Sequence, residues 1–226
     1  MLFDLRGAGR RRTVKTIYLG LAVVMFVGFV GFSIGTSRLG GGLRDVFNNS
    51  SGSSGSSTDR FNKEVNRALA QTRAQPSEPS AWAALAQARI RLAGVGDNFD
   101  AGKSDYTPKG RAVLQGAATA WNKYLDLNPK HPDPRLARQM VQAFVSLNQP
   151  AGATTAQDIV TQDDGTENTF AQLAVFAYQA GQTRKGDLAA AKAVSLAPNA
   201  QRKTLKAQFA QANTQASSSS SSSGSG

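Results

Sequence analysis

The chain has no cysteine, which rules out a disulfide framework, a thiolate metal centre and a cysteine nucleophile. It has a single histidine, His131, in the segment Asn128-Pro129-Lys130-His131-Pro132-Asp133-Pro134. With no second histidine or cysteine to share a metal or complete a relay, that residue reads as part of a proline-punctuated turn. An SxxK pair is missing, the GxSxG match Gly31-Phe32-Ser33-Ile34-Gly35 falls inside a long apolar run, and Gly102-Lys103-Ser104 has Asp97 where the phosphate-cradling pattern needs its first glycine, so no pattern that builds a serine nucleophile or cradles phosphate is complete. The serines cluster instead in linker-like stretches. These absences lead to the expectation of a non-enzymatic protein with no cofactor and no metal.

Acidic residues are also scarce: 15 against 26 Lys and Arg, a net charge of +11. The excess is unevenly spread. Arg6, Arg10, Arg11, Arg12 and Lys15 against Asp4 place +4 in the first fifteen residues, and Arg38 and Arg44 against Asp45 add +1. Residues 59–213 hold 19 basic and 13 acidic side chains, the remaining +6. A domain this mildly basic gives little reason to expect nucleic acid as a partner.

Charge disappears altogether between Lys15 and Arg38, where 22 residues read TIYLGLAVVMFVGFVGFSIGTS. As a helix they would extend roughly 33 Å, against roughly 30 Å of hydrocarbon. Residues 16–37 are therefore expected to form a single transmembrane helix. The basic cluster of residues 1–15 precedes the span and only two Arg follow closely, so the positive-inside rule keeps the N-terminus cytoplasmic and the rest of the chain extracytoplasmic. A cleaved signal peptide is the competing reading, but the apolar run is longer than such segments usually have. Its nearest cleavage-like site is Ser33-Ile34-Gly35. Gly31 and Gly35 form a GxxxG pair, the spacing at which a second transmembrane helix can approach for self-association, although Gly20 and Gly28 make glycine common throughout this segment.

Residues 38–58 are dominated by Gly, Ser and Asn, a composition that cannot bury enough apolar surface to offset its own ordering. As a coil they would reach roughly 25 Å. Residues 216–226, almost entirely Ser and Gly, are expected to form a tail of the same kind.

Between these lies a domain, residues 59–215, rich in Ala, Gln, Leu and Arg and lacking alternating β-branched runs. Pro and Gly interrupt it at helix-length intervals, so it reads as all-α. Phe61, Val65 and Leu69 mark one stripe of an opening helix, Asp59 to Gln75, and Leu205 with Phe209 mark a closing one. In between, Phe170, Leu173, Ala174, Tyr178, Gly181, Gly186, Ala190, Ala193 and Pro198 follow the spacing of a tetratricopeptide repeat, which the segment resembles. One repeat length before Phe170, Leu136 opens a more degenerate unit: a helix to about Leu147, a turn at Asn148 to Pro150 and a helix to about Gln162. Ala117, Trp121, Tyr124 and Pro129 match the second helix of a first unit, whose first helix is Ser80 to Ala93 with Trp82, Leu85 and Ala86. The stretch from Trp82 to Pro129 is much longer than its equivalent in the third unit, Phe170 to Pro198, so the first unit carries an insertion, around 94–110.

The resemblance implies a tetratricopeptide-like α-solenoid of about three helix pairs with capping helices. Its small residues, Ala174 and Gly186, would sit where the two helices of the third unit cross. It also implies a protein or peptide partner held in a groove, which in the family register falls on Gln87, Arg91, Val141, Phe144, Val175, Tyr178 and Gln179. The alternative for Phe144 and Tyr178 is ordinary core, as it is for Trp82 and Trp121. The opening block MLFDLRGAGRRRTVKTIYLGL resembles bacterial membrane-anchored tetratricopeptide proteins. In layout the chain is similar to the translocon-associated ancillary chaperones of bacterial envelopes. The function this implies is a membrane-anchored scaffold or adaptor, chaperone-like in envelope protein assembly.

An alternative function, enzyme or metal-dependent binder, would use the inserted segment, whose Asp97, Asn98, Asp100, Ser104 and Asp105 offer oxygen donors. Phe99 stands where an EF-hand needs a ligand and no glutamate closes the loop. The segment therefore reads better as a polar turn or short hairpin anchored by Phe99 and Tyr106. Arg184 and Lys185, with Arg202, Lys203 and Lys206, form a basic group that reads as solvated surface, with anionic lipid or wall polymer as second reading.

Overall fold

The computed structural model describes residues 54–221. The expected membrane span 16–37, its GxxxG pair, the basic N-terminus and most of the 38–58 linker lie outside the described residues. Among the described residues no helix is long and apolar enough to cross a membrane.

Eight α-helices make up nearly all of the described chain: α1 (Ser54–Ala74), α2 (Pro79–Ala93), α3 (Pro108–Asp126), α4 (Pro134–Ser146), α5 (Pro150–Asp163), α6 (Glu167–Gln179), α7 (Thr183–Leu196) and α8 (Asn199–Ser221). The prolines that divide the sequence open helices: Pro79, Pro108, Pro134 and Pro150 each stand in the first turn. There the missing N–H is one the helix could not have used and φ is already set. Side-chain caps satisfy freed donors just upstream. Thr107 accepts from the Gly110 N–H at 3.2 Å, Asp133 accepts from Arg135 and Leu136 at 2.8 and 3.3 Å, and Thr166 and Thr169 cap each other reciprocally.

Two boundaries differ from the sequence reading. The linker expected to run to residue 58 gives way to α1 at Ser54, and the expected tail from 216 is helical to Ser221. Serine is a modest helix former, not a breaker. In α8 the Ser217 and Ser218 hydroxyls bond the carbonyls of Asn213 and Gln215, at 2.9 Å each.

The helices pack in chain order, each against the next, and α2 with α4 and α6 with α8 also touch across the intervening helix. That ladder of near-neighbour contacts describes a solenoid-like all-α stack. A continuous apolar core runs from Val65 and Ala68 of α1 through Leu85, Leu114, Trp121, Met140 and Phe144 to Val160 and Phe176. Phe61 and Leu69 pack against it, so the predicted α1 stripe is the face that α1 turns to its neighbours. Trp121 is fully buried. Trp82 is only half-buried and donates its indole N–H to the Pro76 carbonyl at 2.8 Å, so it closes the α1–α2 corner.

The α4–α5 and α6–α7 pairs repeat one another. Their first helices open at Pro134 and Glu167 and their second at Pro150 and Thr183, and the offset along the chain is the same for both. In both, the first helix ends on a residue with positive φ, Asn148 (55°) or Gly181 (71°). The next N–H reaches back to the last turn, Gln149 to Phe144 at 2.9 Å and Gln182 to Ala177 at 2.8 Å. This is the 6→1 closure of a Schellman cap.

The inserted segment is short and tightly tied. A 3-10 turn (Gly96–Asn98) leads into a two-stranded antiparallel hairpin, β1 (Phe99–Asp100) and β2 (Asp105–Tyr106), with Phe99 opposite Tyr106. Their rings meet edge to face, 5.4 Å apart. The remaining extra length is taken up by α3, at 19 residues the longest helix between the two terminal ones.

Candidate functional site

Each helix pair crosses where a flat side chain of the first helix lies over a glycine of the second. In α4–α5 the Phe144 ring covers Gly152, and in α6–α7 the Tyr178 ring covers Gly186, where a Cβ would come within 2.5 Å of the ring. The two rings and the two glycines are separated by one and the same offset along the chain. The residue over Gly186 is thus Tyr178 rather than Ala174, because the ring lies flat only where the opposing helix has no Cβ. In α2–α3 the flat group is the Arg89 guanidinium, which covers Gly116 and donates to its carbonyl at 2.6 Å. Burial lowers the Arg89 pKa from its usual value.

This packing decides how the seven groove positions are used. Val141, Phe144, Val175 and Tyr178 are all buried, and their side chains fill the interior of the stack. Phe144 and Tyr178 are core, the second of the two readings open for them in the sequence. Gln87 is half-buried, while Arg91 and Gln179 are exposed. What the first helices offer to solvent from this set is therefore polar. Arg91 spans to Glu64 of α1 at 2.6 Å, so this cation already has a partner on the neighbouring helix. The Tyr178 hydroxyl donates to the Asp187 carboxylate at 2.9 Å. Burial, and then the hydrogen bond and charge of Asp187, push its pKa well above the ordinary tyrosine value.

In the inserted segment each of the three candidate carboxylates faces a cation. Asp97 faces Lys109, Asp100 faces Lys103, and Asp105 faces Arg111. The Asp100 carboxylate also accepts from the Gly102 and Lys103 N–H groups, at 3.0 and 3.2 Å. Asn98 is buried, and its amide donates to the Leu92 carbonyl at 2.8 Å at the end of α2. Its own carbonyl takes the Thr107 N–H at 3.0 Å and rests against Gly110, where any side chain would collide with backbone. No group of three or more His, Asp or Glu able to hold a metal occurs among the described residues. Tyr106 is raised in pKa by burial and by the Asp105 charge. His131 is exposed in the α3–α4 turn.

The five basic residues singled out near the C-terminus do different work. Lys185 pairs with Asp158 of α5 at 2.9 Å. Arg202 donates to the Ala197 and Ser195 carbonyls, at 2.9 and 3.1 Å, satisfying the end of α7. Arg184, Lys203 and Lys206 are exposed.

A polar seam on α5 has no sequence signal. Thr154, Gln157 and Thr161 are buried. The Gln157 amide donates to the Thr169 carbonyl of α6 at 3.1 Å, and the Thr161 hydroxyl, whose shorter bond runs to the Gln157 carbonyl at 2.8 Å, lies 3.3 Å from the same oxygen. Their helical spacing places them on one face, which the resemblance to a repeat would have made apolar.

Fold and site together define an all-α, solenoid-like stack of paired helices, with Arg91 and Gln179 the exposed members of the expected groove set. Compared with protein families, with curated proteins and with solved structures, the chain finds no match.

Proposed function

We propose that the chain is a tetratricopeptide-type scaffold that binds a protein or peptide partner. Residues 16–37 hold it at the outer face of a membrane, where it serves assembly of envelope proteins in a chaperone-like way. The observation that carries this reading is the recurrence of one helix-pair design in α4–α5 and α6–α7. The same boundaries and the same positive-φ closure recur at one offset, and an aromatic ring laid over a glycine recurs one residue out of that register. Repeated pairs of this kind present a continuous surface built from successive first helices, a layout suited to extended contact with another chain and poorly suited to enclosing a small substrate.

The test has two arms. A reporter fused after Gly226 reads on which side of the membrane the domain lies, and a cytoplasmic signal would remove the envelope role. Crosslinking of the full chain in cells, wild type against Arg91→Glu with Gln179→Glu, reads the first-helix face. Both positions are exposed, so the fold is retained, and an identical set of crosslinked partners would end the groove reading.

A further inference from the structure

The buried seam that joins α5 to α6 is not repeated at the equivalent positions one pair further on, where Arg202 ties α8 to the exposed end of α7 through the Ala197 and Ser195 carbonyls. Where α5 carries Gln157 and Thr161, the equivalent positions of α7 are Ala190 and Val194, which cannot hydrogen-bond the following helix. In place of a sealed joint, a cleft of about 630 Å³ opens between α7 and α8. Its floor is apolar, made by Ala190, Ala191, Val194, Phe209 and Ala210. Along α7 the lining runs from Asp187 to Ser195, and along α8 from Arg202 to Asn213, roughly 12 and 17 Å of helix. The lining positions recur every three or four residues on both helices. That is a groove between two ridged cylinders, the surface a third helix fills.

Charge is concentrated in the same place. Residues 183–221 hold six basic side chains and one acidic, a net +5, whereas residues 59–182 hold thirteen and twelve, a net +1. Almost all the positive charge of the domain therefore belongs to its last two helices, and α8 has no acidic residue. The single carboxylate, Asp187, is taken by the Tyr178 hydroxyl. Lys203 and Lys206 form no ion pair among the described residues, and both are exposed. Outside the cleft lining, α7 also exposes Leu188 (66%) and Leu196 (43%), two of the three large apolar side chains that are exposed among the described residues.

We propose that the α7–α8 groove is a docking site for an acidic amphipathic helix of a protein partner. The partner's apolar stripe lies along Ala191, Val194 and Ala210, and its carboxylates meet Lys206 of the lining and Lys203 at the outer rim beside it. This inference rests on the reading of the domain as a protein-binding scaffold, and it shares only Tyr178 with the first-helix face. An extended strand finds no free sheet edge here, whereas a helix needs only the side-chain groove. A lipid surface fits less well. The outward side of α8 is Lys203, Ala207, Gln211 and Thr214, which gives no large apolar group to insert.

The test uses the full chain in an uncharged detergent and a display library of peptides about 16 residues long, roughly 24 Å as a helix. Three variants are compared with wild type: Ala191→Trp with Ala210→Trp, which fills the cleft, Lys203→Glu with Lys206→Glu, and Arg91→Glu. All five positions are exposed, and circular dichroism checks each fold. Enriched peptides are expected to flank an apolar i, i+3, i+7 stripe with Asp and Glu. They should bind at least about tenfold more weakly to the cleft-filled and charge-reversed variants and unchanged to Arg91→Glu, and binding to wild type should weaken as salt rises. Peptides weakened only by Arg91→Glu would leave the scaffold reading standing and remove the cleft. Enrichment of basic or uncharged sequences would overturn the proposal. Binding to phosphatidylglycerol vesicles that charge reversal abolishes and cleft filling spares would also overturn it, and no enrichment at all would count against both readings.

Discussion

The joint between α5 and α6 and the joint between α7 and α8 occupy the same place in successive helix pairs, yet they are built from opposite chemistry. At the first, Gln157 and Thr161 converge on the Thr169 carbonyl and the helices close on each other. At the second, Ala190 and Val194 leave an apolar cleft with cations along its α8 side. A buried hydrogen-bonded contact favours one orientation of its helices, whereas an apolar surface is indifferent to what covers it. The contrast separates a joint made to hold from a joint with room for another element.

The largest expected effect tests whether the two crossings inside the pairs are as alike as their spacing suggests. Gly152→Ala drives a methyl into Phe144, which is 2% exposed and has nowhere to go, and should cost about 2–3 kcal/mol. Gly186→Ala meets Tyr178, whose ring borders the open cleft and can yield, so about 1 kcal/mol is expected. Denaturant unfolding of both variants decides the matter. Equal costs would mean that the cleft gives the Tyr178 ring no freedom, and the contrast between the joints would weaken.

The seam is tested next. Gln157→Ala removes a buried donor and leaves a small void, and should destabilise by about 1–3 kcal/mol. Hydrogen exchange should then rise at the start of α6 more than in α7. A loss spread evenly over all helices would show that the seam holds the stack globally and is not a local joint.

Tyr178 gives a pH signature to the third pair that the second, with Phe144, lacks. Its folded pKa is raised, so the folded state holds the phenolic proton more tightly than the unfolded chain does. The stability this brings is complete below the unfolded value near 10 and is lost as pH rises from there toward the folded pKa. Tyr178→Phe should cost about 1 kcal/mol at neutral pH through the lost bond to Asp187 and should flatten the alkaline decline. Thermal melts across the alkaline range measure it, and an unchanged slope would assign the decline to other groups.

How far the sequence can be read follows the same division. The helices are legible because proline opens them and Asn or Gly closes them, and both act locally. The third unit is legible because its inward positions, Leu173, Ala174, Ala190 and Ala193, are the small and apolar residues that a packing pattern requires. The second is obscure because Thr154, Gln157 and Thr161 face inward, and polarity at buried positions hides a helix from any hydrophobic pattern. The hairpin is legible from Phe99 and Tyr106, which meet as expected. The groove is harder. The tetratricopeptide resemblance implies Val141, Phe144, Val175 and Tyr178 as groove positions and leaves core open for Phe144 and Tyr178, because which face of a helix is covered depends on the neighbouring helices, and periodicity alone carries no information about them.

The smallest effect on stability falls on Arg91, and its smallness is what makes the residue useful. Its bond to Glu64 is short but both side chains are well solvated, 47% and 33% exposed, so Arg91→Ala should change stability by no more than about 0.5 kcal/mol. If the first-helix face binds a partner, the same substitution removes one of its few exposed cations and weakens that complex far more than it weakens the fold. Lys206→Ala on the α7–α8 side is its control, likewise exposed and likewise harmless to stability. A partner whose affinity follows Arg91 alone belongs to the polar face of the first helices, and one that follows Lys206 alone belongs to the cleft. Affinity that falls equally with both would mean that net charge, and neither surface, drives association, a result that an accompanying collapse of binding at high salt would confirm.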